Sequence, residues 1–114
     1  MNITTEDYQA IFDPANFVVT IKGSLRLAGV SAYEPLKNLI IEAEQQAAGK
    51  LTWDLSGLKF LNSSGITTLS MHLFAMKKQA KVQLKVIGSK DIPWQEKSLR
   101  NLKKIWNEIE IIIN

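Results

Sequence analysis

At 114 residues with 46% hydrophobic content, the chain is sized for one domain with a core of its own, without disulfide or metal staples. It has no cysteine, which excludes a disulfide framework, thiolate chemistry and sulfur-ligated zinc or iron. The formal charge of +3 is uneven, net −3 over residues 1–58, +8 over 59–104 and −2 over 105–114. The lysines of the middle stretch are spread over several expected elements, with no arginine cluster and no interleaved stacking aromatics. They read as a solvated face rather than a nucleic-acid site.

No run reaches the roughly 18 to 20 apolar residues that a membrane span needs, and Met1 to Tyr8 is polar and acidic, unlike a basic-then-apolar leader. A soluble cytoplasmic protein without membrane insertion is expected. In chain order, Asp7 to Phe12 and Phe17 to Ile21 carry strand-forming residues on either side of Asp13-Pro14-Ala15-Asn16, whose turn chemistry predicts an antiparallel hairpin. Gly23 is placed to end or bulge the second strand. Ser31 and Glu34 have the spacing of a capping box, and Pro35 falls in the first turn behind it. Leu36, Leu39, Ile40, Ala43 and Ala47 follow at helical spacing, which predicts a helix over Ala32 to Ala48 with Gly49 as its stop.

Leu51, Trp53 and Leu55 alternate with polar residues and predict a strand from Leu51 to Ser56, broken by Gly57. Ile66, Leu69, Leu73, Met76 and Ala80 mark the stripe of a second helix, with Met71 and Phe74 widening its apolar surface. Val82, Leu84 and Val86 alternate as a further strand closed by Gly88. Ile92-Pro93-Trp94 leads into a third helix, with Leu99, Leu102, Ile105 and Trp106 inward, and Ile109 to Ile113 is β-branched enough for a last strand. The order β-β-α-β-α-β-α-β predicts an α/β domain over residues 1–114. Its sheet is mixed but mainly parallel, with an N-terminal antiparallel hairpin and helices packed on it.

Between strand and second helix stands Leu61-Asn62-Ser63-Ser64-Gly65-Ile66, two hydroxyls at a helix mouth where backbone N–H groups lack partners and the dipole is positive. Either serine suits capping, and the same place suits a phosphate. A serine-hydrolase reading fails: along one helix, Ser63 and the only histidine, His72, are nine residues apart, about 13 Å of axial rise. No phosphate loop, dinucleotide fingerprint or metal-ligand spacing occurs, so no cofactor, metal or catalytic residue is expected. Asp54 reads as an acceptor for loop amides, or as an orienting carboxylate beneath the serine turn.

The run Trp53-Asp54-Leu55-Ser56-Gly57-Leu58-Lys59-Phe60-Leu61-Asn62-Ser63-Ser64-Gly65-Ile66-Thr67-Thr68-Leu69 resembles the central signature of STAS domains, the anti-sigma-factor antagonist fold. The family's usual form reads D-L-S-G-V-x-x-[IM]-D-S-S-G-[LI]-x-x-L, and its element order is the one given above. The resemblance implies a non-enzymatic, bacterial signalling protein that docks on a GHKL-type serine kinase or anti-sigma factor through Asn62, Ser63, Ser64, Gly65, Ile66 and Leu69. Ser63 matches the serine that such a kinase phosphorylates and a phosphatase restores. One position departs from the pattern: Asn62 stands where the family has aspartate. The alternatives are an unphosphorylated STAS subunit of a lipid-transport ABC system and an anion- or nucleotide-binding protein that uses the helix start.

Overall fold

In the longer strands sealed residues alternate with partly open ones, and that alternation decides the architecture. The computed structural model describes residues 2–114. β1 (Asn2–Thr4), β2 (Tyr8–Asp13) and β3 (Val18–Leu25) form an antiparallel meander. β4 (Lys50–Asp54), β5 (Leu58–Leu61), β6 (Gln83–Gly88) and β7 (Glu110–Ile113) are parallel to β3, in the order β1-β2-β3-β4-β6-β7 with β5 continuing alongside β3. Three helices make the crossovers: α1 (Glu34–Gln46), α2 (Ser63–Gln79) and α3 (Gln95–Asn101).

From β3 through β4 and β6 to β7 each crossover steps one strand in the same direction. Right-handed connections then put all three helices on one face of the sheet. Burial agrees. Ala10, Ile21, Val19, Trp53, Val86 and Leu84 project to one face and are sealed, while Ile11, Thr20, Asp54 and Ile87 on the other are half-buried. The core therefore lies in a single layer between sheet and helices, with Tyr33, Leu36, Leu39, Ile40, Leu73 and Met76 on its helical side. No helix among the described residues is long and apolar enough to cross a membrane.

Several boundaries differ from those the sequence predicts. The hairpin turn is Pro14 to Phe17: Asp13 ends β2, its two carboxylate oxygens accepting from the Ala15 N–H (2.9 Å) and the Asn16 side chain (2.8 Å). Phe17, expected to begin a strand, turns the chain in the left-handed region at φ 56°. β3 runs past Gly23 to Leu25, so of the two outcomes expected of Gly23 it is the bulge that occurs: a register shift between Gly23 and Ser24 lets the first half of β3 pair with β4 and its second with β5. Glycine is required there. At φ +93° a Cβ would run into the Asp7 carbonyl, which accepts the Ser24 N–H at 2.8 Å.

The Ser31/Glu34 capping box does not form. Ser31 lies inside a single 3-10 turn, Val30–Tyr33, and no side chain caps that turn or α1. Glu34 opens α1, where its charge suits the positive helix end, and Pro35 sits behind it. The helix stops at Gln46 as Ala47 turns extended, so Gly49 (φ +88°) belongs to the following turn instead. The strand predicted from Leu51 to Ser56 is β4, and β5 and β1 were not expected at all. In α2 the buried stripe is Gly65, Thr68, Leu69, His72, Leu73 and Met76. Ile66, Met71 and Phe74, read as part of the apolar stripe, are 41%, 55% and 53% exposed, because the sheet covers only one side of the helix. Ala80 is the left-handed cap at φ 52°, not part of the stripe.

Candidate functional site

The β5–α2 junction lies at the carboxyl end of the parallel strands, the end at which open α/β sheets form their crevices. Asn62 is the residue around which it is built. Its backbone is extended (φ −82°, ψ 176°), its N–H donates to the Leu25 carbonyl at 3.1 Å, and its own carbonyl accepts the Ile66 N–H at 3.0 Å. The side-chain Oδ1 accepts twice, from the Gly65 N–H at 2.9 Å and from the Tyr33 hydroxyl at 2.7 Å. Nδ2 donates to the Leu27 carbonyl at 2.9 Å. One side chain thus caps α2 and binds it to the loop after β3 and to the turn before α1.

That arrangement explains the amide. An aspartate could accept both bonds at Oδ1, but it would set a second oxygen against the Leu27 carbonyl in place of the donor now there. Tyr33 itself is buried, which pushes its hydroxyl above the usual phenol range and keeps it a donor. Removing an N-cap side chain costs about 1 kcal/mol, and this one also satisfies two groups outside the helix.

Because Asn62 is the cap, the serines are not. Ser63 is the first residue of α2 and exposed; Ser64 is second and half-buried. Neither hydroxyl is hydrogen-bonded among the described residues. Ser64 contributes only its carbonyl, which accepts the Thr68 hydroxyl at 2.8 Å. Gly65 is buried, and a Cβ there would press on Leu61 and stand 2.9 Å from the Tyr33 hydroxyl oxygen. Ile66 is open to solvent, whereas Leu69 is sealed in the core and supports the surface from beneath. Along the chain just before the turn, Phe60 is also open, with the Arg26 guanidinium 4.6 Å from its ring centre.

Asp54 is a loop acceptor in this geometry. Its Oδ1 takes the Ser56 N–H at 3.0 Å and the Ser56 hydroxyl at 2.6 Å, and it makes no hydrogen bond to Ser63 or Ser64. His72 lies on the α1 side of α2, buried, its imidazolium disfavoured first by burial and then by the Lys37 charge. No group of three or more His, Cys, Asp or Glu that could hold a metal occurs among the described residues.

Two residues of this end of the molecule were not picked out in the sequence. Tyr33 carries no polar pattern to mark it. Gln95, wholly buried at the start of α3, donates through Nε2 to the Leu55 (2.6 Å) and Leu58 (2.8 Å) carbonyls and accepts the Ser89 N–H at 2.7 Å. The sequence does carry a signal for it: Gln95 stands at helical spacing with Leu99 and Leu102, on the inward stripe, where an amide must be partnered. No protein-family model matches the chain, and no curated protein matches it significantly.

Proposed function

We propose that the chain is a non-enzymatic, cytoplasmic regulatory protein of the partner-switching kind. It docks on a GHKL-type serine kinase or anti-sigma factor through the surface around the β5–α2 junction, and Ser63 is its phosphoacceptor. The observation that carries this reading is the division of labour at the helix start. Asn62 does the capping, so the Ser63 hydroxyl is exposed, unbonded and not needed by the fold. Exposed Ile66 and the Phe60–Arg26 stack give the neighbouring surface the apolar and arginine anchors that interfaces favour.

The switch follows from charge. A phosphate on Ser63 adds about −1.5 to −2 charge at the positive end of α2, where the dipole and free N–H groups stabilise it locally. The same charge would have to be desolvated by any partner seated there, so docking is lost without refolding. Mass spectrometry after incubation with such a kinase and ATP tests it. Wild type should gain one phosphate and Ser63→Ala none, and Ser63→Glu should lose the partner that Ser63→Ala retains. Wild type that binds the kinase without being modified, or Ser63→Glu that binds as well as wild type, overturns the reading.

A further inference from the structure

Between α1 and α2 lies a groove of about 540 Å³. Both helices cross over between parallel strands, so they run the same way and equal depths face each other: Lys37 acts on His72 near the upper end, Lys81 on Glu44 near the lower, and Ile41 and Ala75 line the groove with them. Its polar groups are conspicuously unpartnered. His72 is only 8% exposed and neither ring nitrogen is hydrogen-bonded among the described residues, but both keep some contact with the solvent of the groove. Oε2 of Glu44 is sealed from solvent with no donor. The one ion pair among the described residues, Arg100 with Glu96, lies elsewhere, so Glu34, Lys37, Glu44 and Lys81 all line the groove unpaired. Buried polar groups are normally satisfied, and each exception calls for an account.

We propose that this groove binds a small zwitterion of the ω-amino-acid class, with its carboxylate on Lys37 and His72, its ammonium on Glu44 and its methylenes against Ile41 and Ala75. The four charges of the groove sum to zero, which favours neither a simple anion nor a simple cation. Lys37 and Glu44 are seven residues apart on one helix, about 10 Å of rise. A six-carbon ω-amino acid spans roughly 7 to 8 Å by standard bond lengths, short of that rise by about one hydrogen-bond length. A carboxylate beside His72 would raise its proton affinity against burial and Lys37, with Glu34 and Glu44 on α1 and Lys81 beyond α2 as the other charges lining the groove.

His72 is the only histidine of the chain, so its ring resonances are identified without assignment. The probe is 6-aminohexanoate, titrated into isotope-labelled protein beside hexanoate and hexylamine. Expected are a saturable shift of the His72 signals and a higher midpoint pH for its titration, with both comparators and both Lys37→Gln and Glu44→Gln weaker by about tenfold or more. Lys37 is exposed, so its substitution leaves the fold in place even if Glu44→Gln does not. His72 signals that ignore 6-aminohexanoate, hexanoate that binds as tightly, or a folded Lys37→Gln that binds as wild type each overturn the proposal. None of these outcomes bears on Ser63, so the groove and the switch are judged separately.

Discussion

Asn62 and Gln95 both stand where the parallel strands give way to loops, and each bonds three groups and ties its own segment to others distant in sequence. They use opposite ends of the amide. Asn62 accepts twice through its oxygen and donates once; Gln95 donates twice through its nitrogen and accepts once. Asn62 is half-buried at a positive helix end, whereas Gln95 is sealed. A carboxylate in the first place keeps two of three bonds and meets a favourable dipole, while in the second it loses two of three with no water to help. The serine turn therefore tolerates a carboxylate at its cap, and the Gln95 site does not.

The largest effect expected from this contrast is at Gln95. Gln95→Glu leaves the Leu55 and Leu58 carbonyls without their donor and buries an acid beside them, so urea unfolding should show a loss of about 3 to 5 kcal/mol. A loss below about 1 kcal/mol would mean that water enters and the site is not sealed. Next comes Asn62→Leu, which abolishes the cap, the Tyr33 acceptor and the Leu27 donor together; about 2 to 3 kcal/mol is expected.

Asn62→Asp should cost far less than its counterpart at Gln95, about 1 kcal/mol, as the lost Leu27 bond is offset by the helix dipole and by stronger bonds from Gly65 and Tyr33. Equal costs for the two amide-to-acid changes would break the comparison. In the phosphorylation assay the same variant separates the two roles of Asn62. Ser63 should still be modified in Asn62→Asp, since neither form of the cap engages its hydroxyl; a variant that stays folded but is no longer phosphorylated would tie the kinase to the amide itself.

The longer strands, the three helices and the mainly parallel pairing are legible because period-2 and period-3.6 patterns survive in the sequence wherever one face is buried, as in Leu51, Trp53 and Leu84, Val86. What was not legible was three-dimensional. β5 is too short to show a pattern, and the bulge that Gly23 suggests does not by itself say that the strand beyond it takes a new partner. Ile66, Met71 and Phe74 looked inward because they are apolar at near-helical spacing; nothing local tells a helix that only one of its sides will be covered. At the serine turn the sequence suits either serine or Asn62 to the cap, and the amide is the one that caps because Tyr33 and Leu27, distant in sequence, complete its bonding.

The smallest effect belongs to the middle of α2, at His72, where no amide supports the buried polar group. With the pKa of His72 in the folded protein held below the ordinary 6.5 by burial and Lys37, the unfolded chain takes up the proton first as pH falls. The stability tied to neutral His72 is therefore complete above pH 6.5 and is lost as pH drops through it toward the lower folded-state value. Glu44 works in the opposite sense. Burial raises its carboxyl above the ordinary 4.5, so its ionised form weighs against the fold and stability is regained as pH falls through the raised value. Comparing wild type with His72→Gln by urea unfolding from about pH 7.5 to about 5.5 isolates the histidine, since Glu44 is common to both. Wild type should lose stability relative to the variant as the pH is lowered. Parallel curves would mean that His72 takes up its proton alike in the folded and unfolded chain, so that this group, unlike Asn62 and Gln95 with partners built into the chain, is not held by its surroundings at all.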